Sequence, residues 1–169
     1  MREARGCAPL NSGWPGDDDG ERLRILIADG DADVADMLTQ MMKLLGHEAV
    51  AAFSLREAVD ARRSGHFDAC VIDLEFPDCG GLALLGSLRR AEGAGWRARA
   101  IAWTASPDLW RARPAADLFD AFVAKPASLE TLIAAVSGLP CPNCWMPLDR
   151  ERCHVFCQWP ARQFAASSH

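Results

Sequence analysis

Lysine is nearly missing from this 169-residue chain. Lys43 and Lys125 are the only two, and arginine carries the remaining positive charge. An excess of positive charge is missing as well. The net charge is −5, which argues against a surface built to grip nucleic acid. No apolar run approaches the roughly 20 residues that a membrane-crossing helix needs. The opening "MREARGCAPLNSGWPGDDDGER" lacks the apolar stretch of a signal peptide, so a cytoplasmic location is expected. In that compartment the seven cysteines are expected as thiols or metal ligands rather than structural disulfides. Internal repeats and low-complexity tracts are absent. What is present is ordinary for a globular chain able to bury a core: 50% hydrophobic and 24% charged residues. The expected organisation is a flexible tail over 1–22, one α/β domain over 23–139 and a Cys-rich tail over 140–169.

Within 23–139 short apolar runs alternate with helical patterns. "LRILIA" (23–28), "EAVAAF" (48–53), "DACVID" (68–73), "ARAIAWT" (98–104) and "AFVA" (121–124) read as buried strands. A helix is expected from about Val34, with Val34, Leu38, Met41 and Leu45 on its inward face and Gly46 as its stop. Ser54 and Glu57 make a capping box for a second helix. A third covers 81–91 and is weakened by Gly86. Ser106 and Pro107 open a short fourth helix that Pro114 ends or kinks. Ser128 caps the last, whose Leu129, Leu132, Ile133 and Val136 share a face before Gly138 and Pro140 close it. Five β–α units of this kind imply a doubly wound parallel sheet with helices on both faces.

Ligands of such sheets bind outside the carboxyl ends of the strands. The residues standing at those ends are Asp29, Asp73, Thr104 and Lys125. Singly they read as a helix cap, a loop acid, a turn residue and a surface cation. As a set at four strand ends they read as a site.

These residues resemble the receiver domain of two-component response regulators. The landmarks are Asp29, "VIDLEFPDCGG" around Asp73, "WTAS" with Thr104, and "FVAKP" with Lys125 and Pro126. Pro77 and Gly81 match the family's loop proline and glycine. The resemblance implies a flavodoxin-like (βα)5 fold and a part in phosphorelay signal transduction. It implies a partner sensor histidine kinase or phosphotransfer protein, and a downstream protein target reached through protein contacts. On this reading the chain is not an enzyme, crosses no membrane and has no DNA-binding domain; a homodimer is left open. Asp73 would accept the phosphoryl group. Thr104 and Lys125 would contact its oxygens, and Phe122 would be the switch aromatic that turns inward. The resemblance also implies a cis bond between Lys125 and Pro126. Asp29, Asp73 and the backbone carbonyl of Glu75 would hold a magnesium ion, which accepts one or two carboxylates with other oxygen ligands. Such an ion offsets the repulsion between a carboxylate nucleophile and an anionic phosphoryl group.

One position departs from the pattern. The family has two adjacent acids after the first strand, and here the second is Gly30. Metal affinity should fall, unless Asp31 or the Glu75 side chain reaches in. The alternative is a receiver that works as a phosphorylation-independent binding module through its Cys-rich tail. A rival from another class also fits "ILIADGDADV". The haloacid dehalogenase-like phosphatases carry Asp-x-Asp after four apolar residues, which would make Asp29 the nucleophile and Asp31 the general acid/base. That rival leaves Asp73, Pro77 and Gly81 without a role.

The tail "CPNCWMPLDRERCHVFC" concentrates Cys141, Cys144, Cys153, His154 and Cys157. Cys-x2-Cys is knuckle spacing, because two thiolates so placed converge on one ion. Zinc is expected on Cys141, Cys144, Cys157 and either Cys153 or His154. A redox-active Cys141–Cys144 pair and free thiols are the alternatives.

Overall fold

The computed structural model describes residues 22–92, 98–106 and 118–139. The N-terminal tail, the short helix expected from Pro107 and the whole Cys-rich tail lie outside the described residues. The elements are β1 (Arg24–Ala28), α1 (Ala32–Leu44), β2 (Glu48–Ala52), α2 (Leu55–Ser64), β3 (Ala69–Asp73), α3 (Gly80–Glu92), β4 (Arg99–Thr104), β5 (Ala121–Ala124) and α4 (Leu129–Ser137). The five strands form one sheet in the order β2-β1-β3-β4-β5, and every pairing is parallel.

Strand alternation divides the core in two. Ile25, Ile27, Val71, Ile101 and Val123 face one layer with Leu38 and Met42 of α1 and Leu132 and Val136 of α4. Leu26, Ile72, Ala100 and Phe122 face the other, with Ala58 of α2 and Leu84 and Leu88 of α3. Each fully buried Leu or Ile contributes about 1.5–3 kcal/mol over an exposed one, so both faces hold the sheet. In α4 everything from Thr131 to Val136 is buried, a wider burial than the four-residue stripe the sequence suggested. The inward face of α1 also differs from expectation. Ala35, Leu38, Thr39 and Met42 are buried, while Val34, Met41 and Leu45 flank them. The small Ala35 and Thr39 let the helix lie close to the strands, and the bulkier side chains close the edges.

The punctuation follows the sequence. Gly46 has φ +89°, a backbone state that glycine takes without steric cost, and it ends α1. Ser54 Oγ accepts the Glu57 N–H at 3.3 Å. The Glu57 carboxylate returns to the N–H of Phe53 at 2.9 Å, one residue before the cap. Ser128 Oγ accepts the Thr131 N–H at 3.3 Å, and Gly138 closes α4 at φ +70°.

Candidate functional site

The β1–β3 pairing builds the site. Register pairs Ala28 with Ile72, so Asp29 and Asp73 leave the sheet side by side. This is where strand order switches, because β1 sends its chain to β2 on one side and has β3 on the other. β3 pairs with β4 and β4 with β5, which sets Thr104 opposite Ala124 and brings Lys125 to the same edge.

One local device fixes three of the four groups. Asp29 Oδ1 accepts the N–H of Asp31 at 3.0 Å. Asp73 Oδ1 accepts the N–H of Glu75 at 3.0 Å. Thr104 Oγ1 accepts the N–H of Ser106 at 3.0 Å. In each case a side chain bonds the backbone two residues on, which turns the chain off the strand and pins the rotamer. Lys125 is anchored differently: its backbone N–H donates to the Thr104 carbonyl at 2.8 Å, and the peptide bond to Pro126 is cis.

The Lys125 ammonium lies 2.7 Å from Asp29 Oδ2 and 3.4 Å from Asp73 Oδ2. It also sits 5.7 Å from the centre of the Trp103 ring. Asp29 is 2% exposed, Asp73 8% and Thr104 fully buried. Two buried acids thus share a single neighbouring cation, and buried charge is retained only when paired. Burial pushes the Asp73 carboxyl above its ordinary value. The Glu75 N–H and the Lys125 ammonium pull against that rise, and the Asp29 charge adds to it. Asp73 Oδ2 is held less closely by Lys125 than Asp29 Oδ2 is.

The remaining candidates fall less uniformly. Asp31 does not reach the site. It is the N-cap of α1, and its Oδ1 accepts the N–H groups of Asp33 at 3.0 Å and Val34 at 3.3 Å. The pattern Asp-Ala-Asp-Val at a strand-to-helix turn was a legible cap signal. That cap engages one oxygen of the residue the phosphatase alternative would use as general acid/base. The Glu75 side chain is exposed rather than folded over the acids. Phe122 is already inward: it is 6% exposed, with its ring edge-on to Phe119 at 5.7 Å and 61°. The zinc candidates Cys141, Cys144, Cys153, His154 and Cys157 lie outside the described residues. Among the described residues no cluster of three or more His, Cys, Asp or Glu side chains is placed to hold a metal ion. Asp29 and Asp73 are the two carboxylates present, which meets the minimum for magnesium, an ion that keeps several waters.

Two glycines shape the rim. A Cβ at Gly81 would lie 2.5 Å from the Asp73 carbonyl oxygen and 2.8 Å from Leu74 Cα. Only glycine lets α3 start this close to the chain leaving β3. A Cβ at Gly30 would meet Pro77 Cδ and lie 2.6 Å from Pro77 Cγ. Sequence reasoning treated Gly30 as a lost acid and missed this contact, because nothing local ties residue 30 to residue 77.

Comparison with known proteins agrees with this geometry. The family model described as response regulator receiver domain matches residues 25–137. The sensory/regulatory protein RpfC of Xanthomonas campestris pv. campestris is 27% identical over 120 residues, which cover 69% of this chain and 16% of RpfC. The chain thus spans only a small part of that relative's length. A CheY-like response regulator receiver domain from Methylobacillus flagellatus is 28% identical with a TM-score of 0.59, covering 69% of this chain and 99% of that one. TrrA of Thermotoga maritima, a response regulator crystallised in complex with Mg(2+)-BeF, is 25% identical with a TM-score of 0.59, covering 68% and 96%. With more than half its length matched and the acids, hydroxyl and lysine gathered at one sheet edge, the chain belongs to the response regulator receiver domain family.

Proposed function

We propose that this receiver accepts a phosphoryl group on Asp73 from a phosphohistidine of a partner kinase or phosphotransfer protein. The carrying observation is the Asp73 carboxylate: buried, held by the Glu75 N–H through one oxygen, and left with the other facing Lys125 at 3.4 Å. In the transfer an O–P bond forms at Asp73 and the P–N bond of the donor breaks, its electron pair returning to the imidazole. Lys125 moves from Asp29 towards the added phosphoryl oxygens, and the Thr104 hydroxyl donates to one of them. Asp29, Asp73 and the Glu75 carbonyl would hold magnesium, which supplies charge neutralisation and alignment for an in-line displacement. The Phe119–Phe122 pair would relay the change to the surface around β5.

The phosphatase alternative is not favoured. Asp31 spends its carboxylate on the α1 cap, and the family match accounts for Asp73, Pro77 and Gly81. A cytoplasmic location follows from this reading, because the donor kinase domain and ATP reside there. The domain limits of 1–22, 23–139 and 140–169 belong to the same proposal. So does a zinc knuckle on Cys141, Cys144, Cys157 and Cys153 or His154 that folds on metal binding. Elemental analysis of protein purified without added metal tests it; less than about a tenth of a zinc per chain removes it.

The central test is incubation with acetyl phosphate and magnesium followed by intact mass, with beryllofluoride binding as a second readout. A covalent adduct absent from Asp73→Asn is the expected result. No adduct and no beryllofluoride response at millimolar magnesium, beside a responding control receiver, leaves the phosphorylation-independent module as the better account.

A further inference from the structure

The motif around Thr104 holds a second residue that the phosphoryl-acceptor reading leaves unused. Trp103 stands immediately before Thr104 at the end of β4. Register sets it opposite Asp73 on one side and opposite Val123 on the other. Side chains two residues apart on a strand share a face. Asp29, Asp73 and Lys125 therefore continue the face that carries Ile27, Val71 and Val123, and Trp103 belongs to it too. Trp103 is 6% exposed, and it is the one aromatic among the buried described residues of that layer. Its Nε1–H has no hydrogen-bond partner among the described residues. An aliphatic side chain would fill the layer without leaving a buried donor unpaired. Core filling and hydrogen bonding therefore do not account for an indole here. What it offers is its ring face: Lys125 Nζ lies over it, 5.7 Å from the centre. That is inside the roughly 6 Å over which an aromatic quadrupole attracts a cation.

We propose that Trp103 is a positioning residue for the acceptor site, its indole forming the floor on which the Lys125 ammonium is held against Asp29 and Asp73. The inference rests on the acceptor reading above and adds a residue that acts through Lys125. The ammonium has three neighbours at different ranges: Asp29 at 2.7 Å, Asp73 at 3.4 Å and the ring centre at 5.7 Å. The carboxylates fix it by direct charge contact. The ring attracts it with little directional demand, so the cation keeps this partner when it leaves Asp29 for a phosphoryl oxygen. Lysine carries its charge on a flexible four-carbon stem. The side chain is 25% exposed, so over an aliphatic floor that stem would swing more freely towards solvent.

The scarcity of lysine makes the test direct. Lysine-selective isotope labelling of the full chain gives one site signal, Lys125, and one exposed control, Lys43. In the resting protein the Lys125 ε-methylene protons should lie upfield of those of Lys43 and show nuclear Overhauser contacts to an indole. Trp103→Leu should remove the upfield shift, and Trp103→Phe, which keeps a ring, should retain part of it. A double-mutant cycle of Trp103→Leu with Lys125→Met, read by urea denaturation, separates this hold from core filling. The combined loss should fall short of the sum by at least about threefold in the folding equilibrium constant. Beryllofluoride with magnesium should bind Trp103→Leu about three- to tenfold more weakly, and Trp103→Phe should bind it more nearly as the wild type does. Three results overturn the proposal: Lys125 protons coinciding with those of Lys43 in the unaltered chain, an additive cycle, or unchanged beryllofluoride affinity in folded Trp103→Leu. The signals of the unaltered chain decide the matter even where Trp103→Leu does not fold. The shift and the cycle use no phosphoryl donor or mimic, so a chain that binds no beryllofluoride refutes the acceptor reading while these two still decide where Lys125 is held.

Discussion

The turns after β1 and β3 begin alike and diverge at once. Each strand ends in a buried aspartate whose Oδ1 accepts the N–H two residues on, at 3.0 Å in both. Beyond that point the β1 turn is closed by an ion pair and a helix cap. Asp29 Oδ2 is closed by Lys125 at 2.7 Å, and Asp31 caps α1. The β3 turn keeps its chemistry in reserve. Asp73 Oδ2 stands 3.4 Å from the same ammonium, and burial raises the affinity of its carboxylate for protons. One hydrogen-bond motif therefore supports two roles, and the second oxygen distinguishes them.

Exchanging carboxylate for carboxamide at each turn should separate the roles most sharply. Asp73→Asn should abolish phosphoryl uptake measured by intact mass. Asp29→Asn should weaken it and raise the magnesium needed, while leaving the acceptor in place. Uptake that survives Asp73→Asn and disappears with Asp29→Asn would reverse the assignment and return the nucleophile to β1.

Crowding offers the next contrast. Gly81→Ala puts a methyl against the Asp73 carbonyl and should cost about 1–3 kcal/mol in urea denaturation. In the middle of the same helix, Gly86→Ala meets nothing closer than the Arg90 side chain at 3.5 Å and should stabilise by about 0.5–1 kcal/mol. Equal effects would mean that the β3 turn is looser than its packing indicates. On the β1 side, Asp31→Ala should cost about 1 kcal/mol through the lost cap and leave phosphoryl uptake intact. Uptake lost with Asp31→Ala would bring that residue back into the chemistry.

The smallest effect is a pH dependence. The carboxyl of Asp73 binds its proton more tightly folded than unfolded, so its contribution to stability is fully present at low pH. That contribution is lost as pH rises from the ordinary value of 3.8 through the higher folded value. Asp73→Asn should therefore be more stable than the wild type at neutral pH, with the difference shrinking towards acid. A variant that is less stable at neutral pH would show that pairing with Lys125 outweighs burial.

The sequence reveals what depends on local chemistry. Alternating apolar runs gave the five strands, Ser54, Ser128, Gly46 and Gly138 marked helix ends, and four polar residues at strand ends gave the site. It hid what depends on packing between distant segments. The inward face of α1 turned towards Ala35 and Thr39 because small residues permit closer approach to the sheet, which no hydrophobicity pattern rewards. The closeness of Gly30 to Pro77 was hidden because Pro77 arrives from another loop. The inward place of Phe122 beside Phe119 could not be read from the sequence, because it depends on how β5 packs on the α2–α3 layer. Asp31 was legible as a cap, and the pull of the two acids beside it obscured that reading.

The Lys125–Asp29 ion pair joins residues 96 positions apart, with four strands between them along the chain. Closing so long a stretch of chain costs entropy before the contact can stabilise the fold. A growing polypeptide therefore exposes Asp29 and Asp73 as two uncompensated acids until β5 emerges and docks. The cation that completes the site arrives with the last strand. A copy ending before that lysine would hold the two acids without the cation they share. The charge balance of this edge thus depends on the last strand being in place.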